Sequence, residues 1–297
     1  DAMFASLNQP GSPGAAVGIS HRGKILYAQG YGHADLENGV PFTSRTLFPA
    51  GSVSKQFTAF AVALLARQGK LDLDADIRTW LPYVPDFGHR ITTRQLVHHT
   101  SGLRDQWTLF AMADHEIDGV MRQQHVLNLV AQQRSLNFEP GTEHSYTNTG
   151  YTLMAEIVAA VSGRTFRQFT TERMFEPLGM RSSFFHDDVT QLVPGRSQSY
   201  ELSPRDGRWH RSLFNYETVG ATGLVTTVED LPKWAANFAT PRVGDAALIE
   251  QLFTSGRLRD GRAINYGFGL QRGTYSGHEA ILHSGGDAAF RTLFVYI

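Results

Sequence analysis

Residues 48–60 read FPAGSVSKQFTAF, and the rest of the chain is organised around this stretch. Its start is extended, and apolar residues then recur at helical spacing as far as Gly69, the residue type expected just past a helix end. Ser52 and Lys55 lie three positions apart, so they share one face at the start of the predicted helix. A serine hydroxyl needs an adjacent base, and a lysine buried near the positive end of a helix is pushed toward its neutral, basic form. The spacing therefore predicts an activated nucleophile at Ser52.

The Ser-x-x-Lys spacing is weak as a signal by itself, because ordinary serine and lysine usage yields roughly one chance match in a chain of this size. This chain has only one such match, and its lysines are few: Lys24, Lys55, Lys70 and Lys233. On spacing alone, a structural serine with a solvated lysine one turn further on remains an equal alternative.

The composition limits the class of protein. The chain has 297 residues, with 41% hydrophobic and 19% charged residues, which are values typical of a globular protein. A net charge of −1 argues against nucleic-acid and anionic-membrane partners, and the absence of cysteine excludes disulfides and cysteine-ligated metals. No apolar run approaches transmembrane length. A chain that starts at Asp1 fits a mature or trimmed product, so we expect an exported protein and leave a cytoplasmic location open.

The order of the predicted elements indicates a mixed α/β fold. Strand-like runs occur within 15–31 and again after about residue 198, while helical periodicity dominates between them. We therefore expect one antiparallel sheet built from both chain ends, flanked by helices. Residues 1–51 and 198–297 would form the sheet-containing region and 52–197 a mainly helical region, with the active site in the cleft between them.

Tyr146 and Asn148 are the next candidate site residues, in a turn-rich loop directly before a predicted helix. Residues two apart in an extended loop point to the same side, so both can reach one site. A phenol beside a lysine ammonium has its phenolate form favoured and can exchange a proton with a serine. A core tyrosine with a turn asparagine is the alternative, and the two-residue spacing does not exclude it.

A third candidate stretch, His283-Ser284-Gly285-Gly286, ends an apolar strand. Glycines at a strand end let a substrate backbone approach closely and leave an N–H group to bind a developing oxyanion. The pattern makes His283, Gly285 and Gly286 candidate substrate-binding residues. The other histidines show no metal-ligand spacing, so we expect satisfied core or surface roles for them, no metal and no cofactor. The sequence also contains no Gly-x-Ser-x-Gly elbow and no glycine-rich nucleotide loop.

In this order, the three motifs resemble those of the β-lactamase and penicillin-recognising serine hydrolase superfamily, on its class C side. Further runs that resemble the family cover nearly the whole chain: Leu96–Leu103, Pro140–Gly163, Glu176–Met180, Gly223–Thr227 and Asp230–Trp234. The resemblance implies a mixed sheet flanked by helices beside an all-helical region. It also implies acyl transfer through a covalent acyl-enzyme on Ser52, with Lys55 and Tyr146 sharing the general-base work and Tyr146 returning a proton to the leaving group.

The same resemblance implies the binding roles. Asn148 would orient Lys55 and the substrate amide, and the N–H groups of Ser52 and Gly286 would form the oxyanion hole. His283 takes the third-motif position, where β-lactamases mostly carry lysine and D-alanyl-D-alanine carboxypeptidase-like, D-aminopeptidase-like and some esterase members carry histidine. We hypothesise that a charged His283 holds a substrate carboxylate. The alternative is a neutral histidine that only hydrogen-bonds its own strand.

Two further departures bear on the substrate. Thr222 precedes Gly223 where class C β-lactamases tend to have tyrosine, and the chain ends one strand and one helix early for the family, so that either the sequence is truncated or the sheet is completed differently. The favoured function is a serine hydrolase for a small-molecule, peptide or ester substrate, nearer to D-amino-acid peptidases or esterases than to β-lactamases. A working β-lactamase and a silent protein that binds β-lactams or cell-wall peptides are the alternatives. The oligomeric state stays open.

Overall fold

The structure is a computed structural model that describes residues 2–9, 11–113 and 119–297. Its α-helices are α1 (Ser54–Arg67), α2 (Thr93–Val97), α3 (Gln106–Met112), α4 (Gln123–Ala131), α5 (Asn148–Ser162), α6 (Phe166–Thr170), α7 (Glu176–Leu178), α8 (Leu231–Ala239) and α9 (Ala246–Phe253). Short 3₁₀ turns cover Ala2–Leu7, Gly51–Val53 and Ile77–Thr79, and a π-helical turn, Thr171–Phe175, joins α6 to α7. The strands are β1 (Ala15–His21), β2 (Lys24–Tyr31), β3 (His33–Asp35), β4 (Val40–Pro41), β5 (Phe48–Pro49), β6 (Phe184–Phe185), β7 (Tyr200–Leu202), β8 (Trp209–Arg211), β9 (Leu224–Thr226), β10 (Gln271–Tyr275), β11 (His278–Asp287) and β12 (Phe290–Tyr296).

The strands form small antiparallel sheets. β1 pairs with β2, β3 with β4 and β7 with β8, while β11 lies between β10 and β12, and β9 lies between β5 and β6. The mixed α/β class with antiparallel strands near both chain ends is confirmed. The terminal strands do not share one hydrogen-bonded sheet, however, because within the described residues β1 pairs only with β2, and β12 only with β11. The division at residues 51/52 and 197/198 stays a prediction.

Helix α1 is the centre of the core. Every residue from Ser54 to Leu65 is buried, and the helix packs against α5, α6 and α9. The rings of Phe57 and Phe60 lie 4.5 and 5.0 Å from the ring of Trp234 on α8, measured between centroids. Trp234 Nε1 also donates a hydrogen bond to Gln56 Oε1 at 2.6 Å, so the indole N–H is satisfied although it is buried. Packing on all sides holds the first turn of α1 rigidly.

The C-terminal strands reach the start of α1 through close backbone contact. Thr292 Oγ1 of β12 donates to the carbonyl oxygen of Ala50 at 2.7 Å. A Cβ atom at Gly285 of β11 would lie only 2.1 Å from that same oxygen, so a side chain cannot be accommodated there. Glycine at this position therefore lets β11 lie directly against the segment that carries Ser52.

No helix within the described ranges is both long enough and apolar enough to cross a membrane.

Candidate active site

Ser52 lies in the 3₁₀ turn that leads into α1, and it is partly exposed. Strand β5 brings the chain to this turn by pairing with β9. Gly51 has a φ of 54°, in the left-handed region where other residues are strained, and a Cβ atom there would lie 2.7 Å from the backbone nitrogen of Gly286. The backbones of Gly51 and Gly286 are therefore direct neighbours. An oxyanion hole formed by the N–H groups of Ser52 and Gly286 requires this proximity.

Lys55 is completely buried one turn further along α1. Its Nζ lies 2.9 Å from Ser52 Oγ, 2.8 Å from Asn148 Oδ1 and 2.9 Å from the carbonyl oxygen of Ala221. Burial lowers the pKa of Lys55 from 10.5 to about 7, against the opposing effect of two nearby carboxylates described below. Such a pKa leaves about half of the lysine neutral at pH 7, and the neutral amine can accept the proton of the Ser52 hydroxyl.

Tyr146 reaches the same site from the loop before α5. Its ring centroid lies 4.9 Å from Lys55 Nζ, and 39% of its surface is exposed, whereas Lys55 has none. Desolvation in the cleft raises the pKa of Tyr146 above its usual value, and a hydrogen bond with Ser52 opposes this only in part. The predicted phenolate is therefore wrong, because desolvation disfavours the charged form of both residues. Desolvation leaves Tyr146 as a neutral phenol and makes neutral Lys55 the base.

Asn148 is the first residue of α5, and both ends of its amide are held. Its Oδ1 accepts from Lys55 Nζ, while its Nδ2 donates to Asp105 Oδ2 at 2.9 Å. The backbone N–H of Asn148 donates to the same carboxylate oxygen at 2.7 Å, and Asp105 Oδ1 accepts from the backbone N–H of Trp107 at the start of α3. The sequence signal for Asp105 is that of a helix N-cap only. Nothing local indicates its bonds to Asn148, which follows 43 positions later.

The surroundings of His283 do not match the hypothesis that a charged histidine holds a substrate carboxylate. It is only 3% exposed; Nδ1 lies 2.6 Å from the carbonyl oxygen of Ser284, and Nε2 lies 2.9 Å from the hydroxyl of Tyr266. Nδ1 therefore carries the proton and Nε2 accepts from the tyrosine. Burial lowers the pKa of His283 to about 4, and the charge of Lys55 acts in the same direction. The lowered pKa favours the neutral ring near pH 7, and both nitrogens are occupied, which argues against a charged carboxylate anchor. The alternative of a histidine that bonds only its own strand is met in part, because Tyr266 lies outside that strand.

Asp287 follows Gly286 in β11 and is also buried. It accepts a hydrogen bond from Thr222 Oγ1, the position at which the sequence departs from class C β-lactamases. Burial raises the pKa of Asp287 to about 7, against the effects of that hydrogen bond and of the Lys55 charge. Thr222 directly follows Ala221, whose carbonyl binds Lys55 Nζ. Ala221 and Thr222 therefore link Lys55 to Asp287, the first through its carbonyl oxygen and the second through its hydroxyl. No sequence motif indicates this carboxyl group.

These side chains together can support acyl transfer. The site provides a hydroxyl nucleophile, a base with a near-neutral pKa, a phenol that can donate a proton, and an amide held in one orientation. Across residues 2–9, 11–113 and 119–297, no group of three or more histidine, cysteine, aspartate or glutamate side chains is arranged to hold a metal ion.

The family model named Beta-lactamase matches residues 1–297. The chain belongs to the beta-lactamase family. One curated relative is the D-aminopeptidase of Gluconobacter oxydans (strain 621H), which is 30% identical over 280 residues, a region that covers 94% of this chain and 52% of the relative. Another is penicillin-binding protein 4* of Bacillus subtilis (strain 168), 30% identical over 311 residues that cover 99% of this chain and 67% of that protein.

Among solved structures, the octameric penicillin-binding protein homologue from Pyrococcus abyssi matches with a TM-score of 0.85 and 27% identity. The match covers 100% of this beta-lactamase family chain and 68% of that one. The chain thus spans about half the length of the D-aminopeptidase that it matches and about two thirds of the other two proteins. The expected fold and family are confirmed.

Proposed function

We propose that this chain is a serine hydrolase that forms an acyl-enzyme on Ser52 and cleaves amide, peptide or ester bonds, with D-amino-acid peptides and amides as the favoured substrates. The observation that carries the proposal is the 2.9 Å contact between Lys55 Nζ and Ser52 Oγ, with a pKa of about 7 for the lysine. The D-aminopeptidase relative supports the substrate class.

Acylation starts when neutral Lys55 takes the proton of Ser52 while Oγ attacks the substrate carbonyl carbon. The C=O π bond becomes an oxyanion, which accepts hydrogen bonds from the N–H groups of Ser52 and Gly286. Tyr146 gives its phenolic proton to the leaving nitrogen as the C–N bond breaks, and the proton on Lys55 replaces it. Asn148, held by Asp105, keeps Lys55 in place.

Deacylation uses the same groups with water in place of the leaving amine. Neutral Lys55 accepts a proton from water through Tyr146, whose phenol gives its own proton to the lysine as it takes one from the water. The water oxygen attacks the acyl carbon, and the proton returns by the same route to Ser52 Oγ as the ester bond breaks. The net reaction is hydrolysis, with the enzyme restored to its starting state.

Two features favour D-amino-acid substrates over β-lactams. His283 is neutral and buried in the position where β-lactamases mostly carry a charged lysine, and Thr222 stands where class C enzymes tend to have tyrosine. Gly286 leaves the third-motif strand accessible to a substrate backbone, whereas the space at Gly285 is filled by Ala50 and Thr292. The exported location expected from the sequence also fits a cell-wall or peptide substrate, and stays a proposal.

The test combines covalent labelling with a substrate panel. A fluorescent fluorophosphonate should label the wild-type protein at Ser52, and Ser52→Ala should abolish the label. The panel consists of a D-alanine p-nitroanilide with its L-enantiomer as control, a D-alanyl-D-alanine peptide, p-nitrophenyl acetate and nitrocefin. Fastest turnover of the D-anilide supports the proposal, and fastest turnover of nitrocefin would make the protein a β-lactamase. Acylation without turnover on every substrate would indicate a binding protein, and labelling that survives Ser52→Ala would remove the nucleophile assignment.

A further inference from the structure

His99 lies just after α2 and is completely buried. Its φ of 56° places it in the left-handed region, where a side chain other than glycine is strained. Such strain persists only where the surrounding contacts determine the conformation, and it is concentrated at functional sites. The sequence predicts no more than a satisfied core or surface role for this histidine.

His99 contacts the segment that carries Tyr146 at three successive residues. The carbonyl oxygen of His99 accepts a hydrogen bond from the backbone N–H of Ser145 at 2.9 Å. Its Nδ1 accepts from the backbone N–H of Thr147 at 3.2 Å. Its ring lies 4.3 Å from the Tyr146 ring between centroids, at an interplanar angle of 37°. One residue thus binds the positions before and after Tyr146 and also supports its ring.

The hydrogen bond from Thr147 also determines the tautomer of His99. Because Nδ1 accepts, the proton of the neutral ring is on Nε2, and that buried atom has no hydrogen-bond partner among the described residues. Burial and the charge of Lys55 hold the pKa of His99 well below its usual value, so the ring stays neutral and Nδ1 stays an acceptor. An unpartnered buried donor lowers stability, so this histidine is not the residue that stability alone would favour.

We propose that His99 is a positioning residue that holds the hydroxyl of Tyr146 at Ser52. The inference rests on the proposed function, in which Tyr146 delivers the proton to the leaving group. Tyr146 itself lies in a loop and is 39% exposed, so it needs support on its inner face. Proton transfer requires donor and acceptor within hydrogen-bond reach, and a misplacement of about 1 Å costs on the order of 100-fold in rate.

Two substitutions separate the contacts that His99 makes. In His99→Asn the backbone conformation is tolerated and the side-chain oxygen can still accept from Thr147, so mainly the ring support is lost. In His99→Phe the ring is kept and the acceptor is lost. The matched control is His98→Asn, because His98 is also buried but its ring contacts Phe268 and makes no contact with Tyr146.

The measurement is the rate at which a single turnover of D-alanine p-nitroanilide, whose leaving group is an amine, labels Ser52 with the D-alanyl group, together with urea unfolding of each variant. We expect His99→Asn to slow labelling by about 10- to 100-fold, whereas the His98→Asn control changes the rate by less than about threefold. In a Tyr146→Phe background, which has no phenolic proton to place, His99→Asn should slow labelling by less than about threefold further.

The effect of His99→Asn in the wild-type protein, compared with its effect in Tyr146→Phe, decides whether the inference holds. Equal slowing by His99→Asn with and without the Tyr146 hydroxyl would overturn it, because His99 would then act independently of Tyr146. If His99→Asn does not fold, His99→Phe takes its place in the same comparison. Failure of both variants to fold, beside a folded His98→Asn, would make His99 a residue of the fold and also overturn it. A wild-type label elsewhere than Ser52 would contradict the proposed function instead.

Discussion

Lys55 and Tyr146 flank the Ser52 hydroxyl, and the cleft desolvates both side chains. Desolvation favours the neutral form of each, which lowers the pKa of the lysine to about 7 and raises that of the tyrosine. One physical cause therefore produces a base and an acid on either side of the nucleophile. The nearby carboxylates of Asp105, which is partly exposed, and Asp287, which is buried, keep the lysine pKa from falling further.

The first prediction concerns the pH dependence of acylation. Because the reaction needs neutral Lys55, kcat/KM should rise with pH through an apparent pKa of about 7 and level off above it. The charge of Asp287 raises the pKa of Lys55, so Asp287→Asn should shift the rise of kcat/KM to lower pH. The control Asp260→Asn, which changes an exposed carboxylate, should leave the rise at the same pH. Asp105 also raises the pKa of Lys55 and is unchanged in both variants. Of the other titratable neighbours, Tyr146 and Tyr151 stay neutral because their pKa values are raised, and His99 and His283 stay neutral because theirs are lowered. If kcat/KM of Asp287→Asn rises at the same pH as that of the wild-type protein, the prediction is contradicted.

The second prediction concerns the coupling of Lys55 and Tyr146. Each moves the same proton between Ser52 and the leaving group, so their effects should not add. Lys55→Ala and Tyr146→Phe should each slow acylation by roughly two to four decades, the usual range for general-base catalysis. The double variant should be little slower than the slower single one in a stopped-flow assay. If the two losses multiply, the residues perform separate steps.

At the scale of elements, the site depends on the contact between β11 and the turn before α1. Gly285 is packed against the carbonyl oxygen of Ala50 and the hydroxyl of Thr292, with no room for a Cβ atom. Gly286, the next residue, points the other way, and the nearest atom to its Cβ position is Arg291 Nη1 at 3.6 Å. Alternation along the strand thus places a tightly packed glycine beside one whose Cβ position makes only ordinary contacts, with the Arg291 side chain.

The third prediction follows from this alternation. Gly285→Ala should force β11 away from Ala50, lower the free energy of unfolding by about 1–3 kcal/mol and slow acylation by roughly 100-fold, because the two halves of the oxyanion hole separate. Gly286→Ala is the matched control for stability and should leave the urea midpoint unchanged, since its Cβ fits. Equal stability of the two variants would show that β11 adapts without cost.

At the scale of the whole molecule, buried neutral histidines link stability to pH. His98, His186 and His283 are at most 7% exposed, and burial lowers the pKa of each to about 4. Their unfolded pKa of about 6.5 is higher, so the unfolded chain gains protons first as the pH falls. The stability that they contribute is present above pH 6.5 and is lost toward pH 4. Asp287, with its raised pKa, acts in the opposite direction over this range.

The fourth prediction is a loss of stability under mildly acidic conditions. The three histidines with pKa values of about 4, against one carboxyl group, should lower the free energy of unfolding by about 3 kcal/mol between pH 6.5 and pH 5, measured by urea titration. His99, whose pKa is also held well below its usual value, should add to this fall. His186→Gln should make the fall shallower, because the glutamine can still accept from Arg196 but does not titrate. A free energy of unfolding that is constant across this range would rule out neutral buried histidines.

The sequence by itself determined the parts of this protein that depend on local spacing. Ser52 and Lys55 are adjacent because residues three apart share a helix face. Glycine at position 285 is a reliable signal because the close backbone contact there leaves no room for another residue. Tyr146 and Asn148 are brought to the same site, as their spacing predicted. Their catalytic and binding roles are still predictions that the experiments above address.

Only the tertiary structure decided the protonation states and the supporting contacts. Asp105, Asp287 and His99 act on the site through partners that lie 43 or more positions away, so no periodicity in the sequence can reveal them. The phenolate expected at Tyr146 and the cation expected at His283 are disfavoured for a related reason. A pKa depends on how completely a side chain is desolvated, and burial is a property of the packed molecule rather than of any segment of its sequence.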